Sequence, residues 1–236
     1  MSAGISTFSF SAILALAAVS AFAQAPKVKT ADTVRSKYLP TGVRLGTDLI
    51  SLVKNRATTT FKGWETNADL DFYRYYLTLD YGRWARHDSI KAVTASSGKG
   101  LYQNQGNYFR LGVDINFLLK DPDKNMFFIG FRYGHSLFHQ SLDYSYYSPF
   151  YGTSSKSLSS TGLAGSWLEL TSGLRVKIVS GFWMGYTARL KFGAGVKGNS
   201  STLNTYDIPG YGTTGLGKYW GFNYQVFWRF PVAKTK

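Results

Sequence analysis

The stretch "NYFRLGVDINFLL" (residues 107–119) restricts the fold more than any other part of this sequence. Phe109, Leu111, Val113, Ile115 and Phe117 are apolar, while Arg110, Gly112, Asp114 and Asn116 between them are charged, small or amide. Residues two apart share a face in a β-strand, so a strand here has one greasy face and one charged face. Seven other segments repeat the pattern. They are "GVRLGTDLIS" (42–51), "WETNADLDF" (64–72), "YYLTLDYG" (75–82), "FFIGFRYG" (127–134), "LELTSGLRVKI" (168–178), "FWMGYTARLKF" (182–192) and "GFNYQVFWRF" (221–230). Alternation over about nine residues is the mark of a transmembrane β-strand, and eight such runs predict an eight-stranded barrel over residues 41–231.

The connections alternate in length. Short ones fall near Phe72 to Arg74, at "KDPDKN" (120–125) and at "VSG" (179–181). Opposite them lie "RHDSIKAVTASSGKGLYQNQG", "HQSLDYSYYSPFYGTSSKSLSSTGLAG" and "VKGNSSTLNTYDIPGYGTTGLG", with one shorter link near residues 55–60. Short turns on one rim and long polar loops on the other match an up-and-down antiparallel outer-membrane barrel of a Gram-negative cell, with both termini in the periplasm. The apolar run from Phe8 to Ala23, ending Ala21-Phe22-Ala23, reads as a cleaved signal peptide over residues 1–23. A periplasmic segment (24–40) then precedes the barrel and a short tail (232–236) follows it. The chain has no cysteine, so disulfides and thiolate chemistry are excluded.

A soluble lipocalin-like barrel has the same alternation with its faces exchanged. Three features choose between them. The charged face carries many glycines, among them Gly46, Gly82, Gly112, Gly130, Gly134, Gly173 and Gly185, which a narrow enclosed interior needs and an outer face does not. The same face sets Arg44, Arg110, Arg132, Arg175, Lys177, Arg189, Lys191 and Arg229 against Asp48, Glu65, Asp69, Asp71, Asp80, Asp114 and Glu169. That is close to neutral in a chain of net charge +14, as enclosed charges must be. The apolar face carries large rings that would overfill a narrow lumen but need no packing partner in lipid. The charged face is therefore expected inside.

An eight-stranded barrel filled by such pairs has no continuous channel. The expected lumen network comprises Arg44, Asp48, Asp69, Asp80, Arg110, Asp114, Arg132, Glu169, Arg175, Arg189 and Arg229. A small-solute channel would require gaps in it. On the loop rim, Lys54, Arg56, Lys62, Arg83 and Arg86 form a cationic patch suited to the phosphates of lipopolysaccharide. Nucleic-acid binding fits the basic charge but not the address, and no recognition motif is present.

Two of the three histidines fall in "GHSLFHQS" (134–141). His135, Leu137 and His139 share a face with Tyr133, and Ser136 points the other way. Lipid A deacylation would pair a histidine with a serine two residues on, where Leu137 stands; Ser141 could substitute only if the strand extends that far. A lipid-modifying barrel enzyme is thus the alternative reading, and no catalytic residue, metal or cofactor is expected. The Tyr- and Ser-rich stretch "DYSYYSPFYGTSSKSLSS" suits contact with a membrane-protein partner.

The end "YWGFNYQVFWRFP" resembles the aromatic β-signal of outer-membrane proteins, with "VAKTK" beyond it. On "GVRLGTDLISL", "DFYRYYLTLDYGRW", "NYFRLGVDINFLL" and "FFIGFRYGHSLF" the chain resembles a Bacteroidota outer-membrane β-barrel family, domain of unknown function 6048. The resemblance implies a location and a fold and brings no catalytic residues. Asp32-Thr33-Val34 and Asp88-Ser89-Ile90 also resemble the short O-glycosylation site of Bacteroidota, and both are expected outside the strands.

Overall fold

The computed structural model describes residues 40–91, 97–198 and 203–232. The expected signal peptide, nearly all of the 24–40 segment and residues 233–236 lie outside them. Eight antiparallel strands close into a ring: β1 (Gly42–Asp48), β2 (Phe61–Phe72), β3 (Tyr75–Lys91), β4 (Ser97–Asn116), β5 (Met126–Ser148), β6 (Gly152–Val179), β7 (Phe182–Lys197) and β10 (Lys218–Pro231). Each pairs with its sequence neighbour in the ring, and β10 closes onto β1. A helix, α1 (Leu49–Ala57), follows β1, and the last long connection contains the two-residue strands β8 (Asp207–Ile208) and β9 (Gly212–Thr213).

The register fixes the bore. Stepping between paired residues from Arg44 leads through Asp69, Thr78, Gly112, Arg132, Glu169 and Lys191 to Tyr219. Arg44 itself faces Arg229, ten residues further along β10. A stagger of ten over eight strands tilts them by roughly 40° and leaves an interior just wide enough for side chains.

The charged face is inside. Arg44, Asp69, Asp80, Arg110, Asp114, Arg132, Glu169 and Arg189 are each at most 2% exposed, whereas Leu79, Leu111, Val113, Phe131 and Phe222 are 42–63% exposed. The polarity is that of an inverted globule. Between Trp64, Tyr81, Phe109, Tyr133 and Trp220 on one side and Tyr75, Phe117, Phe127, Trp228 and Phe230 on the other, no outward residue is charged. Eight residues separate Phe109 from Phe117 and ten separate Trp220 from Phe230, which at this tilt is about 20–25 Å of height.

Two expectations are corrected. Large rings do enter the lumen: Tyr76, Tyr108, Phe128, Trp167, Trp183 and Phe227 are all buried. They fit because a glycine lies directly across from most of them. Gly82 faces Tyr108, Gly134 faces Trp167, Gly173 faces Phe128 and Gly46 faces Phe227. The bulky arginines are seated alike, with Gly112 opposite Arg132 and Gly185 opposite Arg175.

The strands also differ in extent. β1 stops at Asp48 rather than Ser51, because the Asp48 carboxylate accepts from the Ser51 amide (3.0 Å) and hydroxyl (2.5 Å) and caps α1. β3 to β6 run far beyond their apolar segments. The expected loop between β5 and β6 is instead a ladder that reaches Ser148↔Gly152. These four strands form a wing whose tallest pair, β5 and β6, rises roughly 40 Å above Tyr133. The Asp88-Ser89-Ile90 tripeptide lies within β3, not outside the strands.

The glycine seating gives a direct test. A Cβ on Gly112 would run into the Phe131 carbonyl and stand 2.5 Å from Arg132 Cγ. Gly112→Leu should therefore lower stability by about 1–3 kcal/mol or more. Heat-modifiable gel migration of detergent-refolded protein across a urea series should show the loss. Wild-type behaviour would place this residue outside the lumen.

Candidate functional site

The lumen has three storeys. In the middle, five arginines and five carboxylates form one continuous network. Asp69 bridges Arg44 (2.7 Å) and Arg175 (2.7 Å), and Asp114 bridges Arg175 (3.1 Å) and Arg132 (2.8 Å). Asp80 takes Arg132 (2.5 Å), Arg189 (3.1 Å) and Arg110 (3.2 Å) on a single oxygen. Glu65 and Glu169 complete the upper side, Glu65 pairing with Arg110 and Glu169 with Arg189 (3.0 Å). Strands β1 to β7 each contribute a charge, and β10 joins through Asn223, which accepts from Arg189 Nε at 2.6 Å. Neutral donors fill the remaining lone pairs. Tyr108 donates to Glu65 (2.7 Å), Trp167 to Glu169 (2.8 Å) and Asn67 to Asp80 (2.7 Å).

Below the network, toward the short turns, lies an aromatic floor. Arg44 stands 4.5 Å from the Tyr76 ring, and Arg175 stands 4.7 Å from Phe128 and 4.9 Å from Phe227. Desolvated guanidiniums over ring faces gain cation–π energy that ion pairs alone would not supply. Arg229 lies lower still, held by Asp71 at 3.0 Å and partly exposed. It joins Asp71 and Thr41 rather than the central network. Asp48, also expected in the network, is buried as the α1 cap and accepts the Tyr224 amide (3.0 Å). Lys177, expected inside, is partly exposed and pairs with Asp123 on the turn rim.

Above the network the last connection folds back into the mouth as a plug. Ile208 and Tyr211 are buried against Tyr108, Phe138, Leu163 and Trp167. Lys191 Nζ donates to the Gly210 carbonyl (2.7 Å) and the Tyr211 carbonyl (3.0 Å). Asn104 holds the Asp207 carbonyl (2.5 Å), and Gln140 holds the Leu203 carbonyl (3.0 Å). Sequence reasoning treated this stretch as a polar loop. Its one signal was "IPGY", an apolar pair around a Pro-Gly turn in an otherwise polar run.

On the rim, Lys54, Arg56, Lys62 and Arg83 are exposed. Lys54 and Arg56 sit in the last turn of α1, and Lys62 Nζ reaches the Asn55 carbonyl at 3.0 Å. Arg83 lies directly across from Trp64. Arg86 departs from the expectation. Its side chain turns into the mouth, bound to Asp88 (2.6 Å) and reaching Asp207 (3.5 Å), because β3 alternation places it on the inward face. Ser136 is buried in the lumen, away from His135, as alternation required. His135 Nδ1 instead lies 3.1 Å from Ser166 Oγ, to which Tyr133 donates at 3.0 Å. Residue 166 was not anticipated, since only the register across β5 and β6 brings it there. Among the described residues, no carboxylate is bonded to His135.

The protein this architecture defines is a closed, eight-stranded, up-and-down antiparallel barrel with a filled interior. The chain belongs to the family Domain of unknown function (DUF6048), whose model matches residues 5–235. No curated protein matches the sequence. The crystal structure of Acinetobacter baumannii CarO is similar at a TM-score of 0.39, with 12% identity over 84% of this chain and 100% of that one.

Two outcomes follow from the site. Asp80→Asn leaves three buried guanidiniums short of one charge, and breaking a buried pair costs about 3–5 kcal/mol. The urea midpoint of the refolded variant should fall accordingly, and an unchanged midpoint would show that the network contributes nothing. The second concerns the plug. Burial pushes the Asp207 carboxyl up to about 6, against the pull of Arg86 and Lys191. An undocked aspartate titrates near 4, so between about pH 4 and 6 the docked plug binds more protons than the free loop. Docking therefore weakens as pH rises through that window and is flat above it. Hydrogen exchange at the Tyr211 amide, corrected for intrinsic rate, should slow toward pH 4 in wild type. In Asp207→Asn it should not change.

Proposed function

We propose that the protein is a non-enzymatic outer-membrane barrel that holds lipopolysaccharide against its outer surface and offers a protruding face to a partner. The observation that carries this reading is the charge-free apolar belt of about 20–25 Å between two aromatic girdles, which matches the apolar band of outer-membrane barrels. A soluble barrel would bury this face. The girdle rings include Trp64 and Tyr81, packed with centroids 5.7 Å apart, and Phe117 and Phe127 at 6.1 Å. Such rings favour the headgroup level.

The rim above the belt supports contact with an anionic lipid. Helix α1 exposes Leu52 and Val53 beside Lys54 and Arg56, so its apolar side can dip into the interface while its cations meet phosphate. Lys62 and Arg83 extend the same patch. The filled lumen, charge-paired across all eight strands and plugged at its mouth, favours a structural or binding role over conduction. Among the described residues, no acid stands behind the Ser166–His135 contact to orient a catalytic histidine. On this reading the termini lie in the periplasm and the wing stands outside the cell, in an organism of the Bacteroidota.

Val113 lies mid-belt and 42% exposed. Val113→Arg should cost roughly 2–4 kcal/mol of stability in a bilayer, the penalty for arginine at the midplane of such a barrel. Folding yield into phosphatidylcholine vesicles, read by heat-modifiable migration, should drop sharply. Undiminished folding, or wild-type protein that stays monomeric in buffer without detergent, overturns the membrane reading.

A further inference from the structure

The wing has two unlike faces. Its inward face is occupied: Tyr102 packs near Tyr206, and Asn104 and Gln140 hold the plug's backbone. On its outward face Asn107 is exposed, while Gln103, Gln105 and Ser141 are half-buried. On β6 the outward positions are Thr153, Ser155, Ser157 and Ser159, a hydroxyl at every second residue. Across from Ser159 lies Ser141 on β5, and across from Ser141 lies Gln103 on β4. Gln105 and Asn107 continue the β4 row down to the girdle at Phe109.

Two properties set this face apart from an ordinary wetted surface. The first is its lack of charge. Among the described side chains on the outward face of β4, β5 and β6 above the girdle, Asp143 is the one Asp, Glu, Lys or Arg, beside His135 and His139. Soluble surfaces carry about 25–35% charged residues, and this chain has 27 Lys and Arg to place. The second is unused bonding capacity. Gln103, Gln105, Asn107 and Ser141 have side chains that make no hydrogen bond to any described residue. Amides and hydroxyls offer donors and acceptors together, and covering them costs far less than covering ions. A ligand that itself carries many hydroxyls and little charge is the complement of such a face. An acidic protein or a nucleic acid is not.

The register says where that ligand begins. Asn107 is the direct cross-strand partner of Arg83, the cation next to the girdle. A lipid with acyl chains on the belt and a phosphate at Arg83 would carry its headgroup sugars onto Asn107, then Gln105, then Gln103. We propose that the outward face of the wing binds the saccharide chain of lipopolysaccharide whose phosphates Arg83 and Lys62 engage. This rests on the outer-membrane reading above. A second copy does not fit the free edge of β6. Copies in one membrane are related about its normal, and strands tilted by roughly 40° would then cross at about 80°, too far apart to form a ladder.

The test uses the full barrel refolded in detergent and two separate probes: lipid A alone, and the polysaccharide released from purified lipopolysaccharide by mild acid. Binding is measured by isothermal titration. Folding of each variant is checked by heat-modifiable migration. In Gln103→Ala/Gln105→Ala/Asn107→Ala, affinity for the polysaccharide should fall about tenfold or more, equivalent to at least about 1.4 kcal/mol, with lipid A binding unchanged. Lys62→Ala/Arg83→Ala should do the reverse. Polysaccharide that does not bind wild type, or binds the triple variant equally well, overturns the proposal. Polysaccharide binding without lipid A binding sinks the rim assignment and supports the face.

Discussion

A closed barrel has a bore fixed by strand number and stagger, and everything inside this protein follows from that width. Eight strands staggered by ten residues cannot widen to admit a bulky side chain. The sequence answers with vacancies, placing a glycine across the ladder from a ring or a guanidinium. Gly134 faces Arg110 on one side and Trp167 on the other, so one missing side chain seats two large ones. Gly130 lies between Asp114 and Thr171 in the same way. The glycines weaken strand propensity locally, and the closed ladder on both sides of every strand offsets this.

The same enclosure governs the charges. Five guanidiniums and five carboxylates out of water are tolerable only as a matched set with their spare lone pairs filled. Asp80 shows how tightly the set is shared, since three arginines converge on one of its oxygens and Asn67 occupies the other. Replacing such a network with well-packed apolar groups would serve stability equally well. Its particular contribution is to tie strands far apart in sequence, as Asp69 of β2 does in joining Arg44 of β1 to Arg175 of β6.

Much of this was legible before the structure, and the limits have physical causes. Period-two hydrophobicity located all eight strands, because outward-facing and lumen-facing residues differ sharply along the belt. It lost the strands above the girdle, where both faces are polar and only backbone pairing continues. Stretches such as Gly152–Gly162 therefore read as loop, although they form ladder. Alternation put Arg110 and Asp114 inside but could not distinguish a network member from a helix cap at Asp48. It missed the plug for a different reason. Ile208 and Tyr211 are buried by a fold-back across the mouth, and nothing in local periodicity reports on contacts across a barrel. The Ser166–His135 contact was hidden likewise, being fixed by the register between β5 and β6.

The strand ends suggest why the wing exists. The apolar belt takes about nine residues of each strand, yet β5 has 23 and β6 has 28. Long ladder above the girdle adds nothing to the closed barrel. It does present a stiff surface at a fixed height, which a loop of equal length would not, since its backbone is bonded to neighbours on β4 and β5. The plug braces this surface from within, through Asn104 and Gln140, at the base of the wing. At the tip, Phe150 is 90% exposed and Tyr151 is 87% exposed, an apolar pair held furthest from the barrel. Rigid strands, a braced inner face and a neutral outer face are what a binding surface requires. The bore itself is filled with paired charges and rings.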